Sequence, residues 1–257
     1  MANVCVFDTE TIGTEKAFCY NIGFIIFNTE SNEILVAEDY VVEQIWNNKP
    51  LFETAYYADK KGIYISRMRG GSVKMKKFGH ITQRMAYLFR HYKVECAYAY
   101  NSPFDDRVFQ YNCDWFHCIN PFDNIKIIDI RGLVHKFIAF SPEYQQFCEE
   151  NSLFTESGNY STTAETLFKY ITKSKSFEEE HTALADSIIE KEILTYCIKL
   201  GGQYGLDYKV YKSIPYKKER KIDLIRRGKE CPEILYSGIY TKKRIIEDTS
   251  GIKIFLD

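Results

Sequence analysis

An apolar run, Val4-Cys5-Val6-Phe7, ends in two carboxylates one residue apart, Asp8 and Glu10, and Gly13 then turns the chain. Alternate side chains of an extended strand share a face, so both acids leave the backbone on the same side. Carboxylate oxygens paired at the end of a buried strand suit a hard divalent cation such as Mg²⁺. By themselves they could equally close a strand beside a solvated loop. Two further places add chemistry. Asn101-Ser-Pro-Phe-Asp105 sets an acid on the first turn of a helix that follows an apolar strand. His181-Thr-Ala-Leu-Ala-Asp186 joins a histidine to another acid, and Ala183 and Ala185 are small enough to let a helix approach a neighbouring backbone.

The third pair carries a geometric condition. Five residues of ideal helix turn about 500°, which leaves His181 and Asp186 roughly 140° apart. They converge only if His181 lies before the helix. Thr182 is therefore the favoured cap, over an earlier start at a Ser176–Glu179 capping box.

The elements that must position these groups follow from pattern. Residues 20–28 and 34–43 read as two strands joined by the turn-like 29–33, making a three-stranded meander with the first run. Phe78, Ile81, Met85, Leu88 and Phe89 recur at helical spacing, giving an amphipathic helix over 78–93. Residues 96–100 form a short strand, Asn101 and Pro103 open a helix to about Asn112, and 125–129 is a strand ending on Asp129. Helices are expected at 130–138, 142–150, 162–172 and 182–200, the last stopped by Gly201-Gly202. The order predicts an α/β fold with a mixed five-stranded sheet flanked by helices. Trp46–Gly79 is the least legible stretch, with a helix expected after Pro50 and a basic segment around Gly70-Gly71 that suits a mobile insertion. From about 201 to 257 the chain becomes basic and Tyr-rich, a small C-terminal extension with a hairpin-like turn at Asp248–Gly251.

A formal net charge of −1 conceals an uneven distribution: Lys60 to Val94 holds ten Lys or Arg and no acid. Such a stripe can face phosphates although the total is near neutral. The 20 Tyr and 18 Phe exceed what base stacking needs, so most should pack the core. The eight cysteines lack a framework spacing, and the sequence shows neither a signal segment nor a membrane-length apolar run, so the expectation is a cytoplasmic protein with free thiols and no membrane partner. Cys113, His117 and Cys118 lack the second pair that a structural zinc site would require.

Phe-Asp-Thr-Glu-Thr-x-Gly, Asn-x-x-Phe-Asp and His-x-Ala-x-x-Asp, in this order, resemble the three motifs of the histidine-bearing (DEDDh) branch of the DEDD 3′→5′ exonucleases, a group that includes proofreading subunits and ribonuclease T. Each motif is weak alone; the three together, with every acid present, are specific. The resemblance covers about residues 1–200 and departs at Ile12, where the family usually has a second threonine. It implies a ribonuclease-H-like fold and hydrolysis of single-stranded 3′ ends, DNA in the first instance, to nucleoside 5′-monophosphates. It also implies that Asp8, Glu10, Asp105 and Asp186 hold two Mg²⁺ or Mn²⁺ ions and that His181 is the general base. Thr9 and Thr11 would meet the terminal nucleotide, with Asn101 and Phe104 supporting the substrate side; Asp129 would be structural. The length leaves no room for a polymerase domain, so the enzyme would act alone or beside a polymerase in trans. RNA 3′-end trimming and a catalytically silent nucleic-acid adaptor are the alternatives.

Overall fold

The computed structural model describes residues 2–15 and 17–216, and beyond them the backbone of six short strands between Arg220 and Leu256. Three long strands open the chain: β1 (Asn3–Ile12), β2 (Phe18–Asn28) and β3 (Ile34–Val42). They pair antiparallel as the expected meander. Two single-turn helices, α1 (Glu43–Trp46) and α2 (Lys49–Phe52), lead to α3 (Lys61–Arg69) and to β4 (Lys74–Lys76). Then follow α4 (Phe78–His91), β5 (Val94–Ala99), α5 (Ser102–Phe116) and β6 (Lys126–Asp129). Helix α6 (Ile130–Val134) continues as a wide turn over His135–Ala139. The last helices are α7 (Pro142–Glu150), α8 (Ala164–Thr172) and α9 (Ala183–Lys199). Among the described residues no helix is long and apolar enough to cross a membrane.

The sheet has six strands in the order β4-β3-β2-β1-β5-β6, not five. The extra strand is β4, parallel to β3 at the edge. Its sequence, Lys-Met-Lys, alternates correctly, but three residues flanked by lysines carry too little apolar signal to stand out. Met75 packs against the core while both lysines face away. Edge strands bearing lysine also resist pairing with other chains. The segment around β4 is tied down rather than loose: Tyr64 of α3 is fully buried and donates its hydroxyl hydrogen to Asn21 Oδ1 at 2.9 Å.

β1 runs through the centre and divides the core. Cys5 and Phe7 face α4 and α5, where Phe7 meets Phe109 and Phe122. Val4 and Val6 face the other way, into a cluster with Ile189, Ile193 and Leu194 of α9. Burying each such side chain contributes roughly 1.5–3 kcal/mol. Continued along the strand, the same alternation puts Asp8 and Glu10 on the α9 side and Thr9 on the α5 side.

The chain past residue 200 does not leave the body at once. Tyr204 packs edge-on to Phe27 and Tyr98, Gly205 N–H donates to Tyr98 Oη, and Ile214 is buried. Residues 201–216 thus belong with the main fold. Further on, 220–222 pairs with 234–236, 225–226 with 229–230, and 244–247 with 253–256. The expected Asp248–Gly251 turn and the side chains of the basic tail lie outside the described residues.

Candidate active site

Three of the predicted acids converge. Asp8, Glu10 and Asp186 each offer an oxygen within 4.8 Å of the others. The first two come from the end of β1; the third comes from the first turn of α9, which crosses that strand end. Asp105, 2% exposed on the first turn of α5, is not part of this tight set. Its Oδ1 accepts the Thr9 hydroxyl hydrogen at 2.6 Å, and its charge is felt by both Asp8 and Glu10. Thr9 therefore holds Asp105 in place, as its orientation toward α5 requires.

Asp186 reaches the site because α9 lies almost on the backbone of β2. Asn21, fully buried on β2, accepts the Ala183 N–H at 2.8 Å and so satisfies an amide of the helix start. Ser187 Oγ donates to the Gly23 carbonyl at 3.1 Å. The small residues noted at 183 and 185 have their counterpart in Gly23.

His181 lies outside the helix, with φ of 57° and Thr182 as the N-cap residue. This meets the geometric condition set by the five-residue separation. Thr182 does not cap through its side chain; its hydroxyl donates to Glu180 Oε1 and accepts from Arg67 Nη1. Arg67 also binds Glu180 at 2.7 Å, so α3 grips the loop that carries His181. The imidazole stacks on Tyr57 with centroids 4.4 Å apart and planes at 11°, and its Nδ1 lies 3.9 Å from Glu179 Oε2.

Thr11 donates its hydroxyl hydrogen to the Gly13 carbonyl within the turn. Asn101 begins α5 in a left-handed conformation and makes no side-chain cap; its Oδ1 accepts from Arg131 and its N–H donates to Asp129. Asp129 Oδ1 also caps α6 through the Arg131 N–H, the structural role expected of it. Phe104 packs against the core with Arg107 over its ring.

Sequence reasoning missed several contributors. Glu190, one helical turn beyond Asp186, is 3% exposed and sits near Asp8, Asp105 and Asp186. Its Oε2 and Asp186 Oδ1 are buried without a hydrogen-bond partner. The i, i+4 spacing was the available signal. Tyr57, Lys60 and Arg67 of the insertion reach the site through long-range packing, which no local pattern encodes.

Electrostatics reflect the crowding. Burial, then Asp105 and Glu179, raises Glu10 to about 7. Burial pushes Asp105 to about 7, opposed by its Thr9 bond. Burial, with Glu179 and Glu10, lifts Asp186 to about 9. Asp8 and Glu190 are raised by burial and by the other acids. Orphaned oxygens amid mutually repelling carboxylates match the donor set of a hard divalent cation. Because these acids hold their protons more tightly folded than unfolded, their contribution to metal-free stability is fully present at low pH and is lost as pH rises through about 7 and then about 9. With chelator present, melting at pH 8.5 should fall below that at pH 5.5 by on the order of 5 °C, and Mg²⁺ should restore it. A melting temperature independent of pH would contradict the clustering.

No family model and no curated protein matches the chain. Solved structures do. The nuclease domain of 3′hExo, a DEDDh family member bound to rAMP, superposes with a TM-score of 0.55 at 12% identity, covering 82% of this chain and 97% of that one. The chain shares the fold of that nuclease domain. A 3′-exonuclease in a structure of histone mRNA stem-loop recognition matches at TM-score 0.55 and 14% identity, over 78% of this chain and 83% of the other. Escherichia coli exonuclease I in complex with a dA13 oligonucleotide matches at TM-score 0.50 and 18% identity, over 77% of this chain but only 40% of its own length. On this shared fold the acids stand at the end of the first strand, on the first turn of the helix after β5 and on the first turn of the last helix.

Proposed function

We propose that the protein is a divalent-metal-dependent 3′→5′ exonuclease that removes nucleoside 5′-monophosphates from single-stranded ends. The observation that carries this reading is the convergence of Asp8, Glu10 and Asp186, with a buried orphan oxygen, at the strand ends of a DEDDh fold. DNA is the first substrate class, in keeping with the oligonucleotide held by exonuclease I. RNA is the second, favoured because the chain spans nearly all of the 3′hExo nuclease domain, which binds rAMP.

Asp8, Glu10 and Asp186 would hold Mg²⁺ or Mn²⁺, with Asp105 completing the set of four. Two such ions would supply Lewis acidity at the scissile phosphate and lower the pKa of a water so that it can be deprotonated near neutral pH. The protein's own residues arrange the rest. Thr9 fixes Asp105, while Arg67 and Glu180 brace the loop in front of α9. His181 takes the proton of the attacking water. Burial and then Lys60 lower its pKa, so the imidazole is neutral and basic at neutral pH. Tyr57 covers one face of the ring and limits its rotation.

The test is a 3′-end-resolved digestion of matched DNA and RNA oligonucleotides with Mg²⁺, using Asp8→Ala as the inactive control. A one-nucleotide ladder on either substrate supports the reading and identifies the preferred sugar. Binding without shortening of either would favour an adaptor. His181→Ala should retain Mn²⁺ binding by calorimetry yet lose about 10²- to 10⁴-fold in rate at neutral pH, and the acidic limb of its pH–rate profile should vanish. An unchanged limb would remove His181 as the base.

A further inference from the structure

A cavity of about 410 Å³ is lined by Tyr100 and Asn101, the turn between β5 and the helix that carries Asp105. Its walls come from the turn after β5, α6 and its extension, the loop leading to α8, and the segment 211–214. Arg131 and Lys212 face it, with the hydroxyls of Thr155, Ser157 and Thr163. No carboxylate lines it among the described residues. Thr163 is the N-cap of the nine-residue α8, so the positive end of that helix also points toward the cavity.

Below these groups lies His135, 1% exposed. Its Nδ1 accepts the Tyr211 N–H at 2.9 Å, which places the proton of the neutral ring on Nε2. That nitrogen is buried and has no partner. Burial, reinforced by Arg131, depresses the pKa to about 4, so the ring offers a neutral donor. An unused donor in the wall of a cavity that also carries two cations and a row of hydroxyls suits an acceptor-rich anion. Arg131 ties the cavity to the catalytic motif: one of its N–H groups goes to Asn101 Oδ1, and the carboxylate it faces is Asp129, already bonded by two backbone amides.

We propose that this cavity binds a backbone phosphodiester of the single strand on the 5′ side of the bond being cut, and so sets how the strand approaches the carboxylates. The proposal rests on the exonuclease reading for the identity of the strand. The size is that of a ligand pocket, and the chemistry is that of phosphate recognition: guanidinium, ammonium, hydroxyls and a helix start. A strand held here would pass from a cationic cavity to the metal-binding acids across Asn101.

The experiment reads binding, not turnover. Fluorescence anisotropy with Mg²⁺ would measure the affinity of the Asp8→Ala protein for single-stranded oligonucleotides. Each oligonucleotide carries one neutral methylphosphonate, moved stepwise from the 3′ end. Neutralising one or two particular phosphates should weaken binding about fivefold or more, and the same change should cost less than about twofold once Lys212→Gln or Arg131→Gln is also present. Lys212 is exposed, so its variant tests the cavity without risk to the fold. Either variant should also lower the slope of log affinity against log salt by about one. Equal effects of every methylphosphonate in parent and variants would overturn the proposal. Inorganic phosphate that binds with Lys212 dependence but leaves the affinity for the strand unchanged would overturn it in favour of a free-anion site. Failure of the exonuclease reading is seen separately, as wild-type protein that shortens no oligonucleotide.

Discussion

Asp186→Asn should reduce terminal nucleotide release by at least about a thousandfold, while the metal-free protein becomes more stable at pH 8, not less. Both effects come from one oxygen set. Asp186 shares a hydrogen bond with Glu10 and leaves Oδ1 buried and unpartnered. Asparagine keeps the shape, is neutral without having to hold the proton that burial, Glu179, Glu10 and Glu180 force on the carboxyl, and supplies an N–H donor to the remaining carboxylates. In the absence of metal that substitution removes the free-energy cost of keeping residue 186 protonated in the fold. With metal it removes a ligand. Thermal melting therefore separates the two roles: wild type should gain several degrees on adding Mn²⁺ and the variant little or nothing. If the variant melts lower without metal and still gains stability from Mn²⁺, Asp186 is a structural residue and the cation lies elsewhere. Glu190→Gln supplies a milder version of the same test, because its Oε2 is orphaned without belonging to the tight set of three.

How much of this was legible depended on the length scale of the signal. Asp8 and Glu10 could be placed on one face because strand alternation is local and strict, and Thr9 fell opposite for the same reason. His181 could be put ahead of α9 because the helical angle left no other way for it to meet Asp186. What escaped was set by contacts distant in sequence. Arg67 looked like one more phosphate-facing cation in a basic run, yet it is committed to Glu180 and Thr182. Tyr57 was one of many tyrosines until its ring was found against His181. Glu190 gives no signal beyond its spacing from Asp186, because sequence alone does not show that α9 is covered both by β1 and β2 and by α8. Strand β4 is hidden by its lysines, and nothing in the sequence shows that the Thr9 hydroxyl bonds Asp105. Site composition was readable; the bracing around it was not.

The bracing can be tested without touching a single candidate ligand. Gly23→Ala should disable the protein although residue 23 bears no functional group. A Cβ at that position would lie 2.1 Å from Leu184 N and 2.2 Å from the Ala183 carbonyl carbon, both backbone atoms that no rotamer change can move aside. The first turn of α9 must lift from β2. That would break the bonds from Ala183 N–H to Asn21 and from Ser187 to the Gly23 carbonyl, and it would carry Asp186 away from Glu10. Overpacking of this kind costs about 1–3 kcal/mol or more, and a displacement near 1 Å at a reacting centre costs on the order of a hundredfold in rate. The variant should melt lower, bind Mn²⁺ more weakly and turn over at about a hundredth of the wild-type rate or less. Gly62→Ala is the matching control, because nothing lies within 4 Å of the added methyl and the residue is inside α3. There alanine should be neutral or stabilising by up to about 1 kcal/mol. Equal behaviour of the two variants would mean that α9 is not seated on β2 as described. A loss confined to Gly23→Ala would show that the position of Asp186, and with it any chemistry at this site, depends on a glycine that lets a helix rest on a strand.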